Sequence, residues 1–200
     1  MGSDDLFHKR RGKSYKRPRP EKSSKERVLI VCEGETETRY FRDFKHHLSL
    51  TSVDVKKSPD SAAIKVVNHA IKLFKEDTYL DFVYCVFDCD PKKNCDKALD
   101  KIKNNKKFFA IVSVPCFEYW VLLHFKDSTQ PFPKCDDVIT ELKKHLAAYT
   151  KNMPNLYDRI KADMDTACNR AQHLLDQMRN VGTDNPTTKM DILVNRLRDL

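Results

Sequence analysis

Glycine is scarce: four in 200 residues, at positions 2, 12, 34 and 182. No GxxxxGK[ST] or GxGxxG loop is present to cradle phosphates, and neither GxSxG nor HExxH occurs. The nucleotide-triphosphatase, dinucleotide, α/β-hydrolase and zincin readings therefore lack their signatures. No apolar run approaches the roughly 18 residues of a membrane-spanning helix. Residues 1–27 are basic and polar where a secretory signal would carry an apolar stretch, so a soluble, cytoplasmic protein with no membrane partner is expected. The seven cysteines include no CxxC pair; they are odd in number and lie mostly inside apolar runs, the pattern of buried reduced thiols. The near-pair Cys89 and Cys95 lacks a second pair or a histidine at zinc-site spacing, so structural zinc is not expected.

What is there is globular. Hydrophobic residues make up 40% and charged residues 33%, enough to build a core in one domain, or in one domain with a helical appendage. The net charge of +8 is uneven: residues 1–27 hold ten Lys/Arg against four Asp/Glu, leaving only +2 for the rest. Residues 1–26 therefore read as a flexible, disordered basic arm. Such an arm could lie along a phosphate backbone or serve only as a solubilising leader.

From Arg27 the pattern changes. Val28 to Cys32 is a short β-branched run suited to a strand buried on both faces. It runs through Glu33-Gly34 into a helical pattern with Tyr40, Phe41, Phe44 and Leu48 on one stripe and Thr36 placed to cap it. Gly34 reads as the residue that permits the tight turn. The unit repeats as a strand near 52–57, a helix over about 60–75, a strong strand Phe82 to Phe87 ending at Asp88, a helix over 94–105, and a strand Phe108 to Val114 stopped by Pro115. Alternation of this kind predicts an α/β fold with a mostly parallel sheet flanked by helices. Amphipathic stretches follow over 117–125, 136–149, 156–179 and 188–200. The expected organisation is one domain over 27–200, with a core to about 125 and a helical C-terminal extension over 126–200. The segment 183–188 reads as a polar turn between helices.

Two acidic motifs fall at the ends of the two strongest strands, where open α/β sheets bind ligands. Glu33 ends the first, and Glu37 follows one helical turn later, so both can face one point. Asp88 and Asp90 end the other, on the same side of an extended chain. Hard cations such as Mg²⁺ and Mn²⁺ take carboxylate, water and phosphate oxygens. Convergent carboxylates holding one or two of them could activate water and stabilise a phosphoryl transition state. Each motif alone also reads as strand-end and helix-cap acids; both in one α/β frame favour a site. A third segment, Pro115 to Phe125, sets Glu118 at the start of an aromatic helix, where it could join a metal cluster, act as a base, or simply favour the helix dipole. His124, alone on an apolar helix, reads more readily as a core residue than as a catalytic one.

These blocks, Val28 to Glu37 with Tyr40-Phe41, Phe87 to Asp90, Ser113 to Phe125 and Asn185 to Thr188, resemble the RloB family over nearly the whole chain outside the basic arm. RloB-like proteins are in turn similar to Toprim domains, which carry a Glu after the first strand and Asp-x-Asp after the third. Glu33, Asp88 and Asp90 match those positions. The EGxxE pattern of related nucleases implies Glu33 and Glu37 as metal ligands and leaves Glu35 at a variable position. Glu118 and His124 match the family's Pro-Cys-Phe-Glu block, although Ser113-Val114 stands where many relatives have Asn before Pro. The resemblance implies a Toprim-like fold and a bacterial or archaeal anti-phage defence protein of the abortive-infection type. It implies Mg²⁺- or Mn²⁺-dependent nuclease activity on DNA or RNA, with an ATPase encoded alongside as a partner. The catalytic set it implies is Glu33, Asp88, Asp90, Glu118 and His124, and the metal set is Glu33, Glu37, Asp88 and Asp90. Two rivals stand beside it. One is a regulatory or adaptor module that binds an ATPase or nucleotide without turnover; the other is nucleotidyl transfer in the manner of a primase.

Overall fold

The computed structural model describes residues 25–89 and 95–200. Asp90 and nearly all of the basic arm lie outside the described residues. Strand β1 (Val28–Cys32) is the most buried element of the sheet, all five residues being covered. Its alternation decides what they cover: Val28, Ile30 and Cys32 join one apolar cluster, while Leu29 and Val31 join the other on the opposite face. A continuous apolar run is what a strand between two layers requires.

The elements that follow are α1 (Glu35–His47), β2 (Val53–Lys57), α2 (Ala63–Glu76), β3 (Phe82–Asp88), α3 (Asp96–Ile102) and β4 (Phe108–Val114). The sheet order is β2-β1-β3-β4-β5, with β1 paired in parallel to both β2 and β3 and β3 in parallel to β4. The chain winds outward from β1 to β2, then returns to the other side of β1 for β3. The gap beyond the carboxyl ends of β1 and β3 is thus the topological switch point, where α/β sheets leave a crevice.

Helix α1 packs on the face covered by the first cluster and α2 on the other. Tyr40, Phe41 and Phe44 of α1 are buried, each contributing on the order of 2–3 kcal/mol of apolar burial. The helix begins one residue before the expected cap. Its N-cap is Gly34, at φ −112° and ψ 173°, with no side-chain cap, and Thr36 lies inside the first turn. The Thr38 hydroxyl donates to the Gly34 carbonyl at 2.6 Å.

The C-terminal part comprises α4 (Glu118–Leu123), α5 (Cys135–Lys143), α6 (Leu156–Ile160), a 3₁₀ turn (Lys161–Asp163), α7 (Met164–Val181), β5 (Thr187–Thr188) and α8 (Met190–Arg198). The expected helix over 136–149 stops early, and the one over 156–179 is interrupted by the 3₁₀ turn. Residues 187–188, read as turn, form an antiparallel edge strand on β4, with the Thr188 and Ser113 hydroxyls 2.8 Å apart. This is the expected helical C-terminal stretch, and it packs into the core of the sheet. Trp120, Leu142, Tyr157, Ile160 and Leu193 belong to the same apolar cluster as Val28 and Tyr40, and the Trp120 indole donates to the Tyr40 hydroxyl at 3.2 Å.

The cysteines depart from the expectation of reduced thiols throughout. Cys32, Cys85 and Cys168 are free and buried, but Cys89 pairs with Cys95 and Cys116 with Cys135. Tertiary folding brings Cys116 and Cys135 to a Cα separation of 5.6 Å across 19 residues of chain, which spacing alone does not reveal.

Candidate functional site

Glu33, the residue after β1, keeps the strand register for one more step, its N–H donating to the Val86 carbonyl at 2.9 Å. That places its side chain beside the end of β3, where Glu33 Oε2 accepts the Asp88 N–H at 3.0 Å. Asp88 in turn reaches the next segment: its Oδ1 accepts the Phe117 N–H at 2.8 Å, fixing the chain as it enters α4. The carboxyl ends of β1 and β3 and the start of α4 are thus linked through two carboxylates.

Glu37 is 5% exposed and sits one turn into α1. Space for its carboxylate exists because residue 34 has no side chain: a Cβ there would lie 2.5 Å from Glu37 Oε2. The reason for glycine is room for the acid, since its backbone is extended and open to any residue. Burial, with the carboxylates of Glu118 and Glu33 adding to it, pushes Glu37 up to about 7. Desolvation and like charge both disfavour its ionised form.

Glu118 is 3% exposed. The Tyr149 hydroxyl donates to its Oε1 at 3.0 Å, and Cys135 Sγ lies 3.2 Å from its Oε2. Paired with Cys116, that sulfur has no proton to donate. The Cys116 and Cys135 sulfurs and a Glu118 oxygen lie within 4.8 Å of one another, so the disulfide abuts the carboxylate directly. Burial, reinforced by the Glu118 charge, raises Tyr149 far above the usual phenol value and keeps it a donor.

Glu33, Glu37, Asp88 and Glu118 line one cavity of about 310 Å³ at the carboxyl edge of the sheet, with Lys151 and Asn152 at its rim. The structure therefore brings together four of the expected site residues. Asp90 lies outside the described residues. His124 is placed elsewhere: it does not line this cavity but is buried against Trp120, its Nδ1 3.0 Å from the Trp120 carbonyl. Burial pushes it down to about 4, which favours the neutral imidazole, and its Nε2 has no hydrogen-bond partner among the described residues. The structure thus places His124 in the core, apart from the carboxylates. Glu35, at the expected variable position, also lines the cavity but is engaged by cations: Arg39 Nε at 3.1 Å and Lys57 Nζ at 3.7 Å. The Arg39 hydrogen bond, more than any other contact, holds its carboxyl below the usual range.

Sequence reasoning missed Tyr149, Lys151 and Asn152, which come from the loop after α5. Asn152, at φ 64°, is in the left-handed region, which asparagine tolerates better than most residues. That residue type was the one local signal; nothing in the spacing pointed to a cavity lined by residues between 33 and 118.

The donor set is chemically uniform: carboxylate oxygens from three separate segments around one cavity, the set that suits a hard divalent cation. The space reserved at Gly34 for the Glu37 carboxylate fits that use, since it holds an acid in a position that burial alone would disfavour.

Fold and site together define an α/β protein with a carboxylate-lined cleft at the switch point of a mostly parallel sheet. The family model for RloB-like proteins matches residues 28–197, and the chain belongs to that family. No curated protein and no solved structure matches it. Among the described residues no helix is long and apolar enough to cross a membrane.

Proposed function

We propose that this protein is a Mg²⁺- or Mn²⁺-dependent phosphodiesterase that cleaves nucleic acid, DNA or RNA, in anti-phage defence, with a Toprim-like arrangement of its acids. The observation that carries the reading is the convergence of Glu33, Glu37, Asp88 and Glu118 on a single cavity. Glu33, Glu37 and Asp88 would hold the cation, which when bound supplies an activated water and neutralises charge developing on the phosphoryl group. The chain's own residues do the remaining work. The Asp88 N–H holds Glu33 Oε2 in place, so a carboxylate stands ready to accept or return a proton at a fixed atom. Glu118 is anchored by Tyr149, and its charge adds to the negative field at Glu37 that a bound cation would offset. The basic charge of residues 1–26 adds salt-dependent affinity for a phosphate backbone without reading sequence. An ATPase partner and a cytoplasmic setting belong to the same reading.

The test is cleavage of single- and double-stranded DNA and RNA, at low salt with Mn²⁺, by wild type and Asp88→Asn. Asparagine keeps an oxygen for the Phe117 N–H and removes only the charge, so the fold stays and cleavage drops at least 100-fold. Equal rates in the two proteins refute the proposal. Nucleic acid retained but uncut by wild type favours the adaptor reading instead.

A further inference from the structure

The loop after α5 brings a cation to the carboxylate cavity, and how it is held shows what the cation is for. Asn152 is clamped to α1 by three hydrogen bonds. Its N–H donates to Thr36 Oγ1 at 3.1 Å, its Oδ1 accepts the Thr36 hydroxyl at 3.2 Å, and its carbonyl accepts Arg39 Nη1 at 3.0 Å. Tyr149, on the other side of Lys151, is fixed to Glu118. Lys151 is therefore bracketed by two anchored residues, and its backbone position over the cavity mouth is set from both sides.

The basic residues near Glu35 and Asn152 differ in their commitments. Arg39 and Lys57 are both engaged by Glu35. Lys151 lines the cavity, yet among the described residues no carboxylate comes within ion-pairing distance of it. Its charge is felt by Glu37 without a direct contact. A lysine used only to neutralise the buried acids would sit on one of them; this one is exposed and lines the same cavity of about 310 Å³ without pairing with any described carboxylate. A cavity lined by carboxylates and, among the described residues, by an ammonium that ion-pairs with none of them suits an anion that bridges the two through a cation.

We infer that Lys151 is a phosphate-binding residue of this site, contacting a non-bridging oxygen of the phosphodiester while the carboxylates hold the cation beneath it, with the Thr36–Asn152–Arg39 clamp as its positioning device. This rests on the phosphodiesterase reading for the identity of the substrate, but not for the anion site itself. An ammonium there works as a point charge that adapts to phosphate oxygens.

The experiment uses the full chain with saturating Mg²⁺ and inorganic phosphate as the probe, followed by calorimetry, in wild type, Lys151→Ala and Lys151→Arg. Wild type binds phosphate, Lys151→Ala weakens it at least tenfold, and Lys151→Arg stays within threefold. Mn²⁺ titration of the same proteins checks the floor of the site: Lys151→Ala binds Mn²⁺ as tightly as wild type or more tightly, because a positive charge has been removed. Phosphate binding unchanged in Lys151→Ala overturns the assignment. So does absence of phosphate binding in wild type, or loss of Mn²⁺ binding together with phosphate in Lys151→Ala. A wild type that binds phosphate through Lys151 but cuts neither DNA nor RNA supports the anion site and refutes the nuclease reading. Cleavage with the same KM and kcat in Lys151→Ala does the reverse.

Discussion

Gly34→Ala tests the site with one methyl group. The added Cβ would stand 2.5 Å from Glu37 Oε2 and 3.3 Å from Glu37 Cδ, whereas ordinary van der Waals contact begins near 3.4 Å. The atom in the way is the tip of a flexible side chain, and the backbone at residue 34 is extended, at φ −112°, so alanine fits the chain and displaces the acid. The carboxylate must withdraw by about 1 Å, a displacement that costs on the order of 100-fold where geometry matters. The expected outcome is a folded protein whose melting temperature stays within a few degrees of wild type, while Mn²⁺ affinity falls at least tenfold and Mn²⁺-dependent cleavage falls further. Calorimetric titration of Mn²⁺ and a thermal melt on the same samples decide it. Mn²⁺ affinity equal to wild type in a folded Gly34→Ala protein would falsify the claim that glycine is there to seat the Glu37 carboxylate.

Three further outcomes follow from the same geometry. Glu37 titrates from a usual value of 4.5 up to about 7 in the metal-free fold; a buried acid with a raised pKa favours the folded state when protonated, so its unfavourable contribution grows as pH rises from about 4.5 to 7. Glu37→Gln should therefore stabilise the metal-free protein at pH 8, by at most on the order of 3 kcal/mol, and leave it unchanged at pH 4; denaturant unfolding at both values checks this, and a variant less stable at pH 8 refutes it. Mn²⁺ binding to wild type should tighten as pH rises through about 7, with proton release visible as a buffer-dependent calorimetric heat; affinity flat from pH 6 to 8 would count against Glu37 as a ligand. Cys116–Cys135 closes a loop of 19 residues, worth about 3 kcal/mol in the chain-entropy account, so Cys135→Ser should lower the melting temperature by on the order of 10 °C, a fall absent if the two thiols are unpaired in solution.

The alternation of short apolar runs with amphipathic stretches was enough to place β1 to β4 and the helices between them. Val28 to Cys32 and Phe82 to Phe87 cannot satisfy so much apolar surface anywhere but between two layers. The acids at the ends of these runs were legible for the same reason: Glu33 and Asp88 follow strands, and strand ends are where a parallel sheet meets its ligands. Less legible was Gly34, read as a turn residue when its backbone needs no glycine and the Glu37 carboxylate needs the room. Thr187-Thr188 gave no strand signal, because two residues are too few for a period and their pairing partner is Ser113-Val114, more than 70 residues away.

Local chemistry, then, was written in the chain itself: which segments are strands, which are helices, and which acids stand at their ends. Only the tertiary structure decided strand order, and with it that Glu33 and Asp88 flank one switch point. Only it decided that Glu118 joins them while His124, six residues later, turns into the core. It also decided that Cys116 meets Cys135, and that Tyr149 and Lys151 reach the cavity from a loop with no periodic signal. The physical reason is one of range. Periodicity records which face of its own element a residue occupies, whereas the contacts that build the site join residues from 17 to 116 positions apart, and those are settled by how the layers pack.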